Sequence, residues 1–452
     1  MKIAKFGGSS LATAEQIKKV GQIIADDPDR RIVVVSAPGK RHSGDTKVTD
    51  LLIAVAEARL GGATGEAELE AVLDRYAEIG RDLGVPQAAI DVIAADLRGR
   101  LESDTSDPDL YTDNLKASGE DNCAKLFAQA LVTDFGLDAH YMGPKDAGLL
   151  LSEEYGNAQV LPESYDNLAR ALADEPGVTV FPGFFGYTPS GDIATLPRGG
   201  SDITGAILAA AVKADLYENF TDVDSVFSTN RGSAANPKPI THLTYHEMRE
   251  LAYAGFAVFH DEAILPAVHA NIPVCIKNTN RPEAPGTMIV PERDHTAGEV
   301  TGITGNDGFC SVFIEKYLMN RELGFGRRLL QILEEDGISF QHMPSGIDNL
   351  SVILEEESFG PAIEKDVLER VNAQLEPDRI EVEHGLALVM IVGEGMSHAL
   401  GVAGRATTAL AKGGVNIEMI NQGSSEISMM FGVKSDGSDA AVRALHAAFM
   451  EE

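Results

Sequence analysis

The chain has 452 residues, 44% of them hydrophobic and 23% charged, and carries a formal net charge of −32. That length gives a prior of about three domains, each able to bury its own core. The acidity argues against nucleic acid or an anionic membrane as partner, because both require a basic footprint. No apolar run is long enough to cross a bilayer, and the N-terminal MKIAKFGG lacks an apolar signal core, so a cytoplasmic protein is expected. Three dispersed cysteines, Cys123, Cys275 and Cys310, fit buried thiols better than a disulfide or metal framework.

In chain order, Lys2 to Phe6 reads as a strand that breaks at Gly7-Gly8. Thr13-Ala-Glu-Gln16 is a capping box opening a helix with Ile17, Val20 and Ile24 on one face. Arg31 to Ser36 is a β-branched run of the kind buried on both faces of a parallel sheet. A loop over Pro38 to Asp45 leads into a helix over Lys47 to Leu60, and Gly65 to Arg100 reads as a helical insertion without chemistry. A helix is predicted to start at Gly119-Glu120-Asp121-Asn122 and to run from Cys123 to Phe135. Strand Gly177 to Pro182 empties into a glycine-rich loop, Gly183 to Gly200, followed by a helix to Ala214 and a strand over Leu216 to Asn219. Helices around His246 to Ala254 and Ala263 to His269 precede a last strand, Ile272 to Lys277. Such alternation predicts a mainly parallel sheet flanked by helices, with ligands at the strand C-termini.

A change of texture over Glu292 to Gly298 marks a boundary, and an internal repeat follows it. Gly324, Leu333, Gly337, Gly346 and Ser351 recur 77 residues later as Gly401, Leu410, Gly414, Gly423 and Ser428. Each copy follows the β-α-β-β-α-β, ferredoxin-like order. The second copy ends in a helix without a closing strand, so either a strand is shared or one copy is inserted in the other. The expected domains are 1–295, 300–384 and 385–452.

The run Thr195-Leu-Pro-Arg198-Gly199-Gly200-Ser201-Asp202 passes directly into an apolar helix. A loop of this kind points unpaired N–H groups at its guest, and Arg198 can grip a carboxylate or phosphate with two prongs. An ordinary helix capped by Ser201 or Asp202 is the plainer alternative. Lys5 beside Gly7-Gly8 offers an ammonium next to a phosphate-cradling backbone, or else a solvated strand end. Glu120 could pair with an ammonium or merely cap a helix, and Thr221-Asp222 ends a strand either at a nucleotide or in an Asx turn. Neither GxxxxGK[ST] nor GxGxxG occurs at a strand–helix junction, and no Ser-His-Asp or metal-ligand constellation is present. Phosphoryl transfer to a carboxylate suits these residues, because an acceptor already ionised at neutral pH needs charge cancellation and alignment but no general base.

In their order and spacing the motifs resemble the aspartokinases of the amino-acid kinase family, over nearly the whole chain. The resemblance is carried by KFGGSS at 5–10, VTDLL at 48–52, SGE at 118–120, TLPRGGSD at 195–202, ENFTDVDSV at 218–226 and GVNIEMINQGSSEIS at 414–428. It implies an amino-acid kinase fold followed by two ferredoxin-like ACT domains, with ATP and Mg²⁺ used to phosphorylate the side-chain carboxylate of L-aspartate to 4-phospho-L-aspartate, towards lysine, threonine and methionine. It further implies that Lys5, Phe6, Gly7 and Gly8 meet the ATP phosphates and that Thr221, Asp222 and Phe227 meet the nucleotide. Thr49, Glu120, Arg198 and Ser201 are placed on aspartate, and Asp202 orients Lys5 and the reacting groups. No protein side chain is assigned to a metal. An amino-acid effector, lysine, threonine or both, would bind between paired ACT units of a homodimer or tetramer. In the first copy Met319, Gly324, Phe325, Ser339, Phe340 and Gln341 align with the effector positions.

Two departures stand out. Ala257 occupies the place of the usual phosphate-side lysine, leaving Lys238, Arg231 and Lys277 as substitutes, and Phe227-Ser-Thr-Asn-Arg231 replaces the usual Tyr-Thr-x-Asp-Pro-Arg. An amino-acid sensor with a decayed kinase half, or a family member acting on glutamate or a carbamate, are the competing readings.

Overall fold

The computed structural model describes residues 1–229, 237–256, 261–293 and 299–451. Two compact units emerge: Met1–Val226 with Ile240–Tyr245 and Val258–Arg293, and Phe227–Pro239 with His246–Ala257 and Asp294–Glu452. Ala257 and Arg231 lie outside the described residues.

The first unit is built on an eight-stranded sheet in the order His242–Thr244, Thr287–Val290, Val274–Asn278, Leu216–Thr221, Lys2–Phe6, Arg30–Val35, Val178–Pro182, Ala139–Tyr141. Every neighbouring pair is parallel except Val274–Asn278 with Thr287–Val290. Lys2–Phe6 is central, and Lys5 stands in register with Val34 on one side and Asn219 on the other. The uninterrupted apolar character of residues 32–35 follows from coverage on both faces, where no position may be polar. Thr13 caps the helix Ala14–Ala25 by accepting from the Gln16 amide at 3.3 Å, and Ile17, Val20 and Ile24 are buried as their spacing requires. The insertion consists of helices Glu66–Asp82 and Gln87–Leu101, packed with Val48–Leu60 and Pro108–Phe135. All three thiols are free and buried, and burial pushes Cys275 up to about 11.

Two sequence expectations are corrected here. The helix expected to open at Gly119 begins at Pro108, with Asp107 capping the amides of Asp109 and Leu110, and runs 28 residues to Phe135. Gly119 is an interior residue: a Cβ there would come within 2.9 Å of the Ala37 Cβ and 3.2 Å of Leu52, so glycine serves close packing and not a cap. The glycine-rich loop before Arg198 contains a hairpin, Phe185–Tyr187 with Ile193–Thr195, which delivers Thr195 and Arg198 from a paired strand.

The second unit holds a six-stranded antiparallel sheet in the order Phe340–His342, Asn349–Glu355, Gly302–Glu315, Arg379–Val392, Ser428–Lys434, Met419–Asn421. Its two 14-residue strands resolve the missing closing strand by serving both copies. Cys310, Val312 and Ile314 pack in the core of the first copy, whereas Ile303 belongs to that of the second. Likewise Ile380 and Val382 face the first core, and Ala387, Val389 and Ile391 the second. The repeat extends to backbone geometry. Gly324 and Gly401 open their helices at φ 77° and 86°, and Gly337 and Gly414 follow the helix ends at φ 70° and 72°.

Candidate active site

Lys5 is 6% exposed at the C-terminal end of the central strand, with its Nζ 2.5 Å from Asp202 Oδ1. Asp202 stands in the first turn of the helix Gly200–Ala211, whose N-cap is Gly199 at φ 84° with no side-chain cap, so neither Ser201 nor Asp202 acts as the cap. Asn219, beside Lys5 in the sheet, donates to the same Asp202 oxygen at 2.6 Å. Tyr217 donates to the Asp202 carbonyl at 3.0 Å. Two strands therefore aim one cation and one amide at a single carboxylate.

The glycines pull the phosphate-side loops together. A Cβ on Gly39 would fall 2.6 Å from the Gly8 carbonyl carbon, and the Gly39 amide donates to the Gly8 oxygen at 2.8 Å. The Gly7 amide donates to the Phe220 carbonyl at 3.2 Å. Phe6 is fully buried and stacked on Phe220, with ring centroids 4.7 Å apart, and its carbonyl accepts the Ser36 amide at 3.2 Å, so it supports the turn from the core and does not line the cavity.

These elements surround a cavity of about 410 Å³ that brings together Lys5, Gly8, Thr49, Glu120, Arg198, Ser201 and Asp202. Glu120 is 4% exposed; its Oε1 accepts the Ala37 amide at 3.0 Å, and its Oε2 is buried without a partner. Burial pushes this carboxyl up to about 7, opposed by the Ala37 hydrogen bond and the charges of Lys116 and Lys47. Arg198 is exposed at the rim and has no hydrogen-bonded partner among the described residues. A buried anion with a vacant lone pair and a cation with a vacant fork suit a zwitterionic guest.

Thr221 and Asp222 are not among the residues lining this cavity. They follow at the end of the strand Leu216–Thr221, where the Thr221 hydroxyl donates to Asp222 at 3.3 Å. Phe227 is half-buried and belongs to the second unit. The six effector candidates all lie in that unit too. Met319 and Phe325 are core residues, whereas Ser339, Phe340 and Gln341 lie at the edge of the sheet. Gln341 donates to Glu355 at 2.9 Å and accepts from the Tyr253 hydroxyl.

Sequence reading missed several cavity residues. Lys47 lines it from the start of the helix Val48–Leu60, and Lys116 from the long helix, one turn before Glu120. Behind Lys116 lies Asp113, 1% exposed, which accepts the amides of Thr195 and Gly156 at 2.7 Å each and the Thr195 hydroxyl at 2.8 Å. A helix drawn continuously from Pro108 would have put Asp113, Lys116 and Glu120 on neighbouring turns of one face. Lys277 and Lys238, offered as substitute cations, are not among the cavity residues; Lys238 bonds the Met450 carbonyl.

Residues 1–278 match the model of the amino acid kinase family, and residues 389–449 that of an ACT domain. Aspartokinase 3 of Bacillus subtilis is 56% identical over 449 residues, covering 99% of this chain and 98% of that protein. The crystal structure of Clostridium acetobutylicum aspartate kinase superposes with a TM-score of 0.88 at 37% identity, over 99% of this chain and 100% of that one. Escherichia coli aspartokinase III, solved with aspartate and ADP, gives a TM-score of 0.74 at 25% identity over 100% of both chains. The same enzyme with lysine and aspartate gives 0.78 at 26%. A small-molecule kinase fold with a regulatory sheet is thus the class. Within it, the chain belongs to the aspartokinases. No helix among the described residues is long and apolar enough to cross a membrane.

Proposed function

We propose that the cavity binds L-aspartate beside ATP and transfers the γ-phosphoryl group to the side-chain carboxylate. The observation that carries this reading is the convergence on one cavity of a partnerless buried carboxylate oxygen on Glu120, an unengaged guanidinium on Arg198 and the Lys5–Asp202 pair. Glu120 takes the substrate ammonium and Arg198 the α-carboxylate, while Thr49 and Ser201 fix the side chain. The guest ammonium satisfies Glu120 Oε2 and returns that carboxyl to its ionised form.

The turn at Gly7 and Gly8, its Gly7 amide held by the Phe220 carbonyl, presents the Gly8 backbone beside the ammonium of Lys5 to the phosphates, and Thr221 and Asp222 contact the nucleoside. The acceptor oxygen forms a bond to Pγ as the bond from Pγ to the ADP oxygen breaks, with no proton to remove from the acceptor. Lys5 stabilises the charge on the transferring group, and Asp202 keeps its ammonium aimed. Mg²⁺ would arrive on the nucleotide: among the described residues no group of three or more acidic, His or Cys side chains forms a metal cage. Phosphate oxygens, water and one or two carboxylates commonly hold this ion, and Asp202 and Asp50 are cavity carboxylates able to contribute. When bound it would shield phosphate charge.

The paired ferredoxin-like copies support inhibition by an amino acid, lysine, threonine or both, at the 319–325 and 339–341 segments of a homodimer or tetramer. A coupled ADP-release assay tests the catalytic reading. Turnover is expected with aspartate and not with glutamate, and absence of turnover with aspartate would overturn it. Lysine and threonine titrations in the same assay, with sedimentation analysis, test the regulatory part.

A further inference from the structure

Lys116 has no part in the transfer described above, yet its side chain is only 14% exposed and it lines the cavity. Its Nζ donates to Asp113 Oδ1 at 2.9 Å and to Thr195 Oγ1 at 3.0 Å, and lies 5.4 Å from the centroid of the Phe184 ring. Asp113 also receives the Thr195 amide and hydroxyl and the Gly156 amide. The Lys116–Asp113 pair limits the cost of burying either charge, and the same ammonium stands one turn along the helix from a second buried carboxylate, Glu120.

We propose that Lys116 is a positioning residue for the amino-acid substrate, tying the Thr195-to-Ser201 loop to the helix that bears Glu120 and supplying the positive charge that balances Glu120 within the cavity. The proposal rests on the reading of Glu120 as the ammonium-binding group.

The charged and titratable surroundings of Glu120 can be named element by element. On its own helix stand Asp113, paired with Lys116, then Lys116 itself, Asp121 and Cys123; on Glu66–Asp82 stands Tyr76, whose hydroxyl donates to the Gly119 carbonyl at 2.5 Å. Lys47 and Asp50 face the cavity from the next helix, paired to each other at 3.4 Å. Lys5, Arg198 and Asp202 complete the lining. Lys5 is committed to Asp202, and the Lys47 side chain is 51% exposed and therefore screened. Lys116, held by Asp113 and Thr195, is largely buried on the helix that carries Glu120, and its field opposes the burial that favours the neutral carboxyl.

The test is the pH dependence of KM for aspartate between pH 6 and 8.5 in the full-length enzyme, for Lys116→Met, Lys116→Arg and Glu120→Gln. With the parent, KM rises as pH falls through the Glu120 titration. Lys116→Met should move that rise to higher pH by about one, with a KM increase of several-fold at pH 7, a smaller one at pH 8.5 and kcat changed less than KM. Lys116→Arg, which keeps charge and stem, should restore the parent profile. An unchanged KM in Lys116→Met, or an increase equal at every pH, overturns the charge-balancing role. If Lys116→Met does not fold, Lys116→Gln serves with the same criteria. Glu120→Gln separates the two claims. A large, pH-independent increase in KM upholds the reading of Glu120, whereas an unaltered KM removes that reading whatever Lys116 does.

Discussion

Replacement of Lys5 by alanine is the sharpest probe of the phosphate side. Lys5 is 6% exposed, so water cannot stand in for its ammonium as it could at a surface site. Loss of a preorganised charge contact to a reacting group in such a site typically costs 10²–10³ in kcat, about 2.7–4 kcal/mol. The structure places this substitution towards the upper end. Asp202 Oδ1 would lose the ammonium at 2.5 Å and keep only the Asn219 amide at 2.6 Å, leaving an uncancelled carboxylate facing the phosphates. The assay is ADP release at saturating aspartate and ATP, with thermal denaturation to verify folding. A kcat within about threefold of the parent, in a folded variant, would refute the assignment of Lys5 to the transferring group.

Three further outcomes are expected. Arg198→Ala should raise KM for aspartate by about 10- to 100-fold, the scale of a lost charge-assisted fork. Because Arg198 has no partner among the described residues, its melting temperature should stay put; a lost melting transition would contradict the assignment. Gly39→Ala puts a Cβ 2.6 Å from the Gly8 carbonyl carbon, a backbone contact that no rotamer relieves, so activity should fall sharply, whereas Gly99→Ala, with nothing within 4 Å, should be tolerated or stabilising by about 0.5–1 kcal/mol. Finally, Glu120 sits at about 7 when folded, against about 4.3 unfolded. Between those values the native chain holds a proton that the unfolded chain has released, so stability falls as pH rises through that window, by about 4 kcal/mol in all, and levels off above it. Glu120→Gln should remove this slope, and a denaturant series from pH 4.5 to 8 showing the same slope in both proteins would exclude burial as the cause.

Where one face of an element carries an unbroken chemical pattern, the sequence was sufficient. The β-branched run at 31–35, the Thr13 N-cap and the 77-residue repeat each state a local rule that tertiary packing obeys, although the return half of the expected capping box is not made, since the Gln16 side chain donates to Asn280 instead. Failures arose where one residue type answers two needs. Gly119 reads as a helix start because glycine often punctuates, yet its missing Cβ admits Ala37 and Leu52. That misplaced start hid Asp113 and Lys116, which become neighbours of Glu120 only if the helix is continuous. Asn219 was hidden for another reason: a polar residue inside a buried strand signals a partner, but parallel pairing beside Lys5 is what identifies the partner as Asp202. The sharing of two long strands by both copies was likewise undetermined, because a 14-residue strand and two short ones carry the same alternation.

A chain with a net charge of −32 must hold anionic ligands without relying on its overall field. Three of the four cations lining the cavity are held by a carboxylate: Lys5 by Asp202, Lys116 by Asp113 and Lys47 by Asp50. Such pairs place the positive ends accurately while limiting the cost of burying unbalanced charge. On the proposed reading, phosphate would share Lys5 with Asp202, which stays paired and keeps the ammonium aimed. Arg198 alone offers an unengaged charge at the rim. Its exposure suits first contact with a carboxylate, and the buried pairs behind it suit alignment. Long-range attraction would therefore contribute little, and the rate of aspartate binding should depend only weakly on ionic strength, rising modestly with salt as the repulsion between an acidic protein and an anion is screened.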